Sequence, residues 1–205
     1  MAVTDALSLV NAACALLSVE PLQSMDDTLN GGQPVSLLYN PVAEFCLGIA
    51  PFSFARRTRQ LTLKSAAVSN LGFAFVHQLP PERIGAPHRL ITDVSDPRAT
   101  LQAYDYDEEG CVHSDYDPLY AMVTCRVAPA LWAPTFTFAV IHALGAALAE
   151  PLTGNSSLSQ DFMAKAFGTP SESFRGGLMR AALNADARNT PARALPSLSN
   201  PLLNA

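Results

Sequence analysis

Two apolar, helix-spaced runs joined by a polar turn and followed at once by a basic strand open this chain, and they restrict its fold more than any other feature. In DALSLVNAACALLSVEPL, Thr4 suits a helix N-cap with Asp5 in the first turn, and Leu7, Val10, Cys14 and Leu17 recur at helical spacing until Pro21. After the polar turn Asp26 to Gly32, Pro34 suits the first position of a second helix. Its Val35, Leu38, Val42, Phe45 and Ile49 step by three and four residues and predict one packing seam. Pro41 removes a backbone donor inside that helix, which predicts a kink near Tyr39 and Asn40. Helices striped in this way need partners, so further helices are expected downstream.

From Pro51 to Val127 the apolar period changes from helical to alternating. Strands are expected at Arg59 to Lys64, Gly72 to Leu79, Thr100 to Tyr106, Gly110 to Ser114 and Leu119 to Val127, with a short helical turn at Pro80 to Ile84. Asp107-Glu108-Glu109-Gly110 reads as a hairpin turn, because glycine accepts positive φ without cost. Helical sequence returns at Pro134 to Glu150 and from Leu158, and Thr169-Pro170-Ser171-Glu172 has the form of a capping box opening a last helix, Pro170 to Arg188. That helix carries Phe174, Leu178, Ala181 and Ala182 on one side, and Gly176-Gly177 would give it a flat contact surface. The expected architecture is mainly α: a helical bundle from residues 1–50 and 128–189, a small β-rich insertion at 51–127, and an extended C-terminal arm at 190–205.

Charge and composition narrow the function. Over 205 residues, 13 Lys and Arg against 18 Asp and Glu leave a net charge of -5, which argues against wrapping a phosphate backbone. Cys14, Cys46, Cys111 and Cys125 show no metal or redox spacing and are expected as buried free thiols. Asp5 and Asn11 spoil a secretion signal, so a cytoplasmic origin is expected. Val127 to Ala149 is charge-free apart from His142, but a helix from Pro134 to Glu150 spans only about 24 Å of a roughly 30 Å hydrocarbon layer. A buried helix is expected there, and no membrane partner.

The residues that might carry chemistry fall short of a constellation. Asp105, Asp107 and Glu109 resemble half of a calcium loop, but Tyr116 stands where the closing acid belongs. Cys46 or Cys125 with His77, His113 or His142 has the types for a nucleophile and base, yet no short motif brings them together. With no glycine-rich phosphate loop or hydrolase elbow, the expectation is a protein without catalytic residues, metal or cofactor. Arg56, Arg57 and Arg59 form the dense basic cluster, open to three readings: pairing with a neighbouring subunit, touching DNA, or lying on an exposed strand start.

The last segment, Thr190 to Ala205, spaces Pro191, Pro196 and Pro201 regularly, with Arg193 as its one charged side chain. Ordering it costs on the order of 15 to 30 kcal/mol of backbone entropy, while burying Leu195, Leu198, Leu202 and Leu203 returns about 6 to 12. Two readings stand: an arm that orders on a partner, reaching up to about 50 Å, or a frayed terminus.

Four landmarks in order resemble the head-to-tail adaptor proteins of tailed bacteriophages, the tail tubular protein A family. They are LVNAACALLSVEPLQSMDD, LLYNPVAEFCLGIAPFSFARRTRQL, GFAFVHQLPPERIGAPHRL and LYAMVTCRVAPALWAPTFTFAVIHALGAALAEPLTGN, together covering most of residues 4–158. The resemblance implies a structural virion protein at the neck, made in the host cytoplasm and assembled as a dodecameric ring beneath the portal. Its implied partners are other copies of itself, the portal protein, a tail nozzle or tail tube protein, and genomic DNA passing without sequence recognition. Carried onto this chain, portal docking falls to Pro191, Arg193, Leu195, Pro196, Leu198, Pro201, Leu202 and Leu203. Tail-facing loops fall within Asn70 to Asp117, with Asp107, Glu108, Glu109, Asp115 and Asp117 as candidate contacts, and Arg56, Arg57 and Arg59 fall between subunits or in the channel. The segment GTPSESFRGG departs from the long C-terminal helix that such proteins often present. A cytoplasmic ligand- or metal-binding helical module is the alternative from another class.

Overall fold

The computed structural model describes residues 5–25, 32–64, 69–96, 99–107, 109–172 and 176–189. Among them are α1 (Ala6–Leu16), α2 (Gly32–Gly48), β1 (Arg56–Gln60), β2 (Thr62–Leu63), β3 (Phe75–Gln78), β4 (Arg83–Ile91), β5 (Asp105–Tyr106), β6 (Cys111–Ser114), β7 (Tyr120–Cys125), α3 (Pro134–Thr153), α4 (Ser156–Phe167) and α5 (Gly177–Asn189). The expected mainly α architecture is therefore corrected to a mixed α and β fold. Seven strands form two antiparallel sheets, ordered β1-β7-β4 and β2-β3-β6-β5, and they bury a core of their own. A sheet region with its own core is a second layer system and not an appendage to a bundle.

Helix α1 begins one residue later than expected. Asp5 is its N-cap, accepting from the Ser8 amide at 2.7 Å while Ser8 Oγ accepts from the Asp5 amide, a reciprocal capping box. Leu9, Val10, Ala13 and Cys14 then face the helical core. Asn11 closes the loop that follows: its amide oxygen accepts from the Leu22 N–H at 2.8 Å and its nitrogen donates to the Leu22 carbonyl at 3.0 Å.

Helix α3 is the axis of the helical layer and packs against α1, α2, α4 and α5. It runs past Glu150 and through Pro151 to Thr153, and its 20 residues are long and apolar enough to cross a membrane by length and composition. Phe136, Ala139, Val140, Leu144, Leu148 and Ala149 are instead buried against the other helices. The small residues of α3 serve contacts inside the chain. A Cβ built on Gly145 would lie 3.4 Å from the Phe162 ring, and Ser159 Oγ donates to the Ala146 carbonyl at 2.7 Å, so α4 lies close along this face.

The strand at Arg83–Ile91 replaces the helical turn expected at Pro80 to Ile84. It holds Pro87 and a positive-φ Gly85, features that read as a turn, but β4 is an edge strand and its register against β7 shifts between Ile84 and Arg89. Edge strands and bulges are where sheets tolerate proline and glycine. The chain passes between the sheets four times, after β1, β3, β4 and β6, so both sheets wrap one core of Leu61, Leu79, Leu90, Val112, Leu119, Ala121 and Val123.

The chain passes from the helical layer to the sheets at Phe52 and Phe54, whose rings lie 4.7 and 5.1 Å from that of Phe136 within the helical core. The Cys125 N–H donates to the Ala55 carbonyl at 2.9 Å at the same junction. The Thr169 to Glu172 segment opens no long helix: Pro170–Glu172 is a single 3-10 turn, tied by the Thr169 N–H to Glu172 Oε2 at 2.9 Å. Gly176-Gly177 likewise stands at the start of α5 and not inside a helix, with Gly177 at φ +62. A Cβ there would sit 2.6 Å from the Lys165 carbonyl oxygen, so the pair permits a backbone approach to the end of α4.

Candidate functional site

The apolar stripe of α2 lies rotated from its expected face. Val35, Ala43, Cys46 and Leu47 are the buried positions, while Phe45 and Ile49 are 61% and 43% exposed. With Met163 of α4 at 44% exposure, these side chains border a groove of about 560 Å³ completed by Phe167, Met179 and Leu183. A second hollow of about 590 Å³, between α2 and the end of α3, shares Phe45, Met163 and Phe167 and adds Leu38, Val42 and Ala147. The two form one apolar trough, with Arg180 lining the first hollow and Glu150 the second. Phe45 stands edge-on to Phe167 at 5.5 Å and leaves its other face to solvent. Such a trough can bind apolar side chains and supplies no group for bond-making chemistry.

One wall is fastened from a distance. Asp186 of α5, 9% exposed, accepts from the Ser53 amide at 2.9 Å and from Ser53 Oγ at 2.6 Å, pinning the helix to the loop after α2. Neither residue stands out in the sequence, because the pair is 133 positions apart.

The basic cluster divides over the strand. Arg57 and Arg59 act on the Cys125 thiol, whereas Arg56 lies by His88 and, after burial, is the second influence holding that imidazole below its ordinary value. Successive residues of β1 face opposite sides, so the three arginines do not make a single patch. Arg57 donates to the carbonyls of Phe54 and Arg56, and Arg59 lies 3.8 Å from Glu82.

The acidic loop residues have partners within the chain. Asp107 accepts from the Cys111 amide at 2.7 Å, the main cause of its lowered carboxyl pKa, and lies 3.2 Å from His113 Nε2. Glu109 pairs with Lys64 at 2.7 Å, Asp115 accepts from the Ala74 amide at 3.0 Å, and Asp117 contacts His77 Nε2 at 3.2 Å. Glu108 lies outside the described residues, and Gly110 takes the positive φ, +75, that the hairpin needs. The portal-docking candidates Pro191, Arg193, Leu195, Pro196, Leu198, Pro201, Leu202 and Leu203 also lie outside the described residues.

Two polar clusters have residue types associated with chemistry. The ligand atoms of Asp107, Glu109 and Cys111 lie within 4.8 Å of one another, but the Lys64 ammonium is 2.7 Å from Glu109 and 3.7 Å from Cys111 Sγ and already supplies the positive charge. Asp105, the other acid of the half calcium loop, turns its carboxylate to the Tyr106 amide. Elsewhere Ser69 Oγ sits 2.9 Å from His113 Nδ1, whose ring contacts Asp107, in the order serine, histidine, aspartate. Ser69 Oγ also accepts from the amides of Leu71 and Phe73, which uses the lone pairs a nucleophile needs, so the trio pins a loop. It was hidden in the sequence by its spacing of 44 residues.

Among the described residues, the thiol and imidazole pairings that the residue types would allow show no hydrogen bond. Cys46 is fully buried with its thiol pushed up to about 12 by desolvation, and burial raises Cys125 as well. His142 contacts the Phe138 carbonyl at 3.0 Å, while His77 and His113 contact carboxylates. Compared with known proteins, the chain matches no family model and no curated protein.

Proposed function

We propose that this protein is a structural adaptor of a tailed bacteriophage particle, a homo-oligomeric ring at the neck between portal and tail. The observation that carries the reading is the apolar trough on α2, α4 and α5, which leaves Phe45, Ile49 and Met163 exposed on a chain that otherwise buries two cores. A contiguous apolar trough of this kind marks a protein contact, and a contact between different faces of successive copies gives a ring when the rotation per copy closes. The ordered landmarks of residues 4–158 support the same reading, and the net charge of -5 suits a channel through which DNA slides without sticking.

In this reading the trough is covered by the adjacent subunit, the arm from residue 190 onward engages the portal, and the loops of the sheet layer face the tail. The decisive experiment is quantitative mass spectrometry and residue-resolution imaging of purified particles. The chain is expected in multiple copies at the neck, and its absence from particles overturns the reading. Phe45→Glu, on an exposed side chain, is expected to leave the monomer folded and to stop its incorporation into particles.

A further inference from the structure

We infer that the free chain pairs with a second copy of itself, trough against trough, across a two-fold axis that passes beside Phe45. The outer face of α2 supplies the ridge. Leu37, Pro41, Phe45 and Ile49 recur every four residues and all four are exposed, Leu37 at 67%. They form an apolar line about 18 Å long on a helix whose other side packs on α3.

The trough has a direction. Phe45, Met163 and Phe167 border both hollows and so stand between them, with Ile49 and Arg180 lining the first hollow and Leu38, Pro41 and Glu150 the second. Arg180 and Glu150 are exposed, and among the described residues neither has an ion-pair partner. The order along the trough is therefore cation, hollow, ridge, hollow, anion. A second copy laid parallel would set Arg180 against Arg180 and Glu150 against Glu150, and like charges oppose that arrangement. A two-fold axis crossing the line near its centre reverses the second copy. Each Arg180 then faces the Glu150 of the other copy, each Ile49 faces the hollow beside Leu38 and Pro41, and Phe45 meets Phe45 and Met163 at the axis. At about 560 and 590 Å³, the hollows have room for these side chains.

Area sets the strength. Leu37, Phe45, Ile49 and Met163 together expose on the order of 400 Å² in each copy, about half of what one partner contributes to a standard interface. A contact of that size is of the weak, exchangeable kind. Because the ring reading gives the same trough to an adjacent subunit, the two-fold dimer and the ring exclude each other, and the dimer keeps the trough covered until ring growth displaces it. The pairing itself belongs to the free chain in solution and does not rest on the chain's presence in particles.

Sedimentation velocity of the full-length chain from about 1 to 300 μM tests the pairing, and a reversible monomer–dimer equilibrium with a Kd of about 10 to 100 μM, stopping at two copies, is expected. Phe45→Lys is expected to weaken it at least tenfold, with circular dichroism confirming that the fold is kept. Arg180→Glu and Glu150→Arg, both on exposed side chains, are each expected to weaken it about fivefold, since each sets like charges together twice per dimer. An equal mixture of these two variants is expected to regain the wild-type affinity, because each copy then meets the opposite charge at both ends. A chain that stays monomeric at the highest concentration, assemblies larger than two, or a dimer unmoved by Phe45→Lys would overturn the proposal. Charge reversals without effect, or a mixture that stays weak, would overturn the two-fold register.

Discussion

At the scale of single residues, the chemistry of this chain is set by burial. Cys46 is 0% exposed and its thiol is pushed from 9.0 up to about 12 by desolvation. A folded pKa raised above the unfolded value stabilises the fold fully below the unfolded value, and that contribution is lost as pH rises from about 9 toward 12. Buried Cys46 is therefore held as the neutral thiol at pH 8, and its alkylation is expected to run at least a hundredfold slower in the folded chain than in urea. Peptide-resolved mass spectrometry after iodoacetamide reads this directly, and equal rates would contradict the burial. Gly177 illustrates a backbone constraint. At φ +62 with the Lys165 carbonyl 2.6 Å from a built Cβ, Gly177→Ala is expected to cost about 1 to 3 kcal/mol, visible as a lower urea midpoint.

At the scale of elements, hydrophobic period was a good guide wherever one face of an element is buried and the other wet. The first two helices were legible for that reason, whereas the helix from Pro134, buried all round over residues 139–146, and the strand Cys111–Ser114, buried on both faces, were legible from apolar content bounded by proline and glycine. β4 was not, because Gly85 and Pro87 imitate a turn and only the position at a sheet edge makes them tolerable. The trough was half legible: the apolar positions of α2 were visible, but which of them face the core depends on how α3 and α4 lie, and rotation left Phe45 outside. The polar pins were invisible, since Asp186 with Ser53 and Ser69 with His113 join distant segments. Asn11 had looked like an interruption in an apolar run. It is the clamp on the loop after α1, and Asn11→Ala leaves both the amide and the carbonyl of Leu22 without that partner, an expected loss of about 1 to 3 kcal/mol by denaturant titration. Asp186→Ala is expected to cost a similar amount, about 1.5 to 3 kcal/mol, by freeing α5 from the loop at Ser53, and hydrogen exchange in α5 should rise selectively.

At the scale of the whole molecule, the question is whether two cores make two folding units or one. The helical core and the sheet core are separate clusters, which by itself would allow the sheets to melt alone. Two contacts bind them: Ile84 of β4 packs on the helical core, and the Arg126 guanidinium, directly after β7, pairs with Glu44 of α2. The strongest coupling is covalent and local, because β1 begins directly after Phe52, Phe54 and Ala55, and Phe52 and Ala55 belong to the helical core. Pulling β1 from β7 therefore disturbs the aromatic contacts on Phe136. A single cooperative transition follows. Emission from Trp132, the chain's one tryptophan and a member of the helical core, should report the same urea midpoint as exchange of the Val112 and Ala121 amides in the sheet core. Ile84→Ala removes apolar contact at the seam and is expected to lower both midpoints together, by an amount corresponding to about 1 to 3 kcal/mol for this half-buried side chain. If the sheet amides exchanged at a lower urea concentration than the tryptophan responds, the layers would be independent and a rigid link between the trough and the sheet loops would be lost.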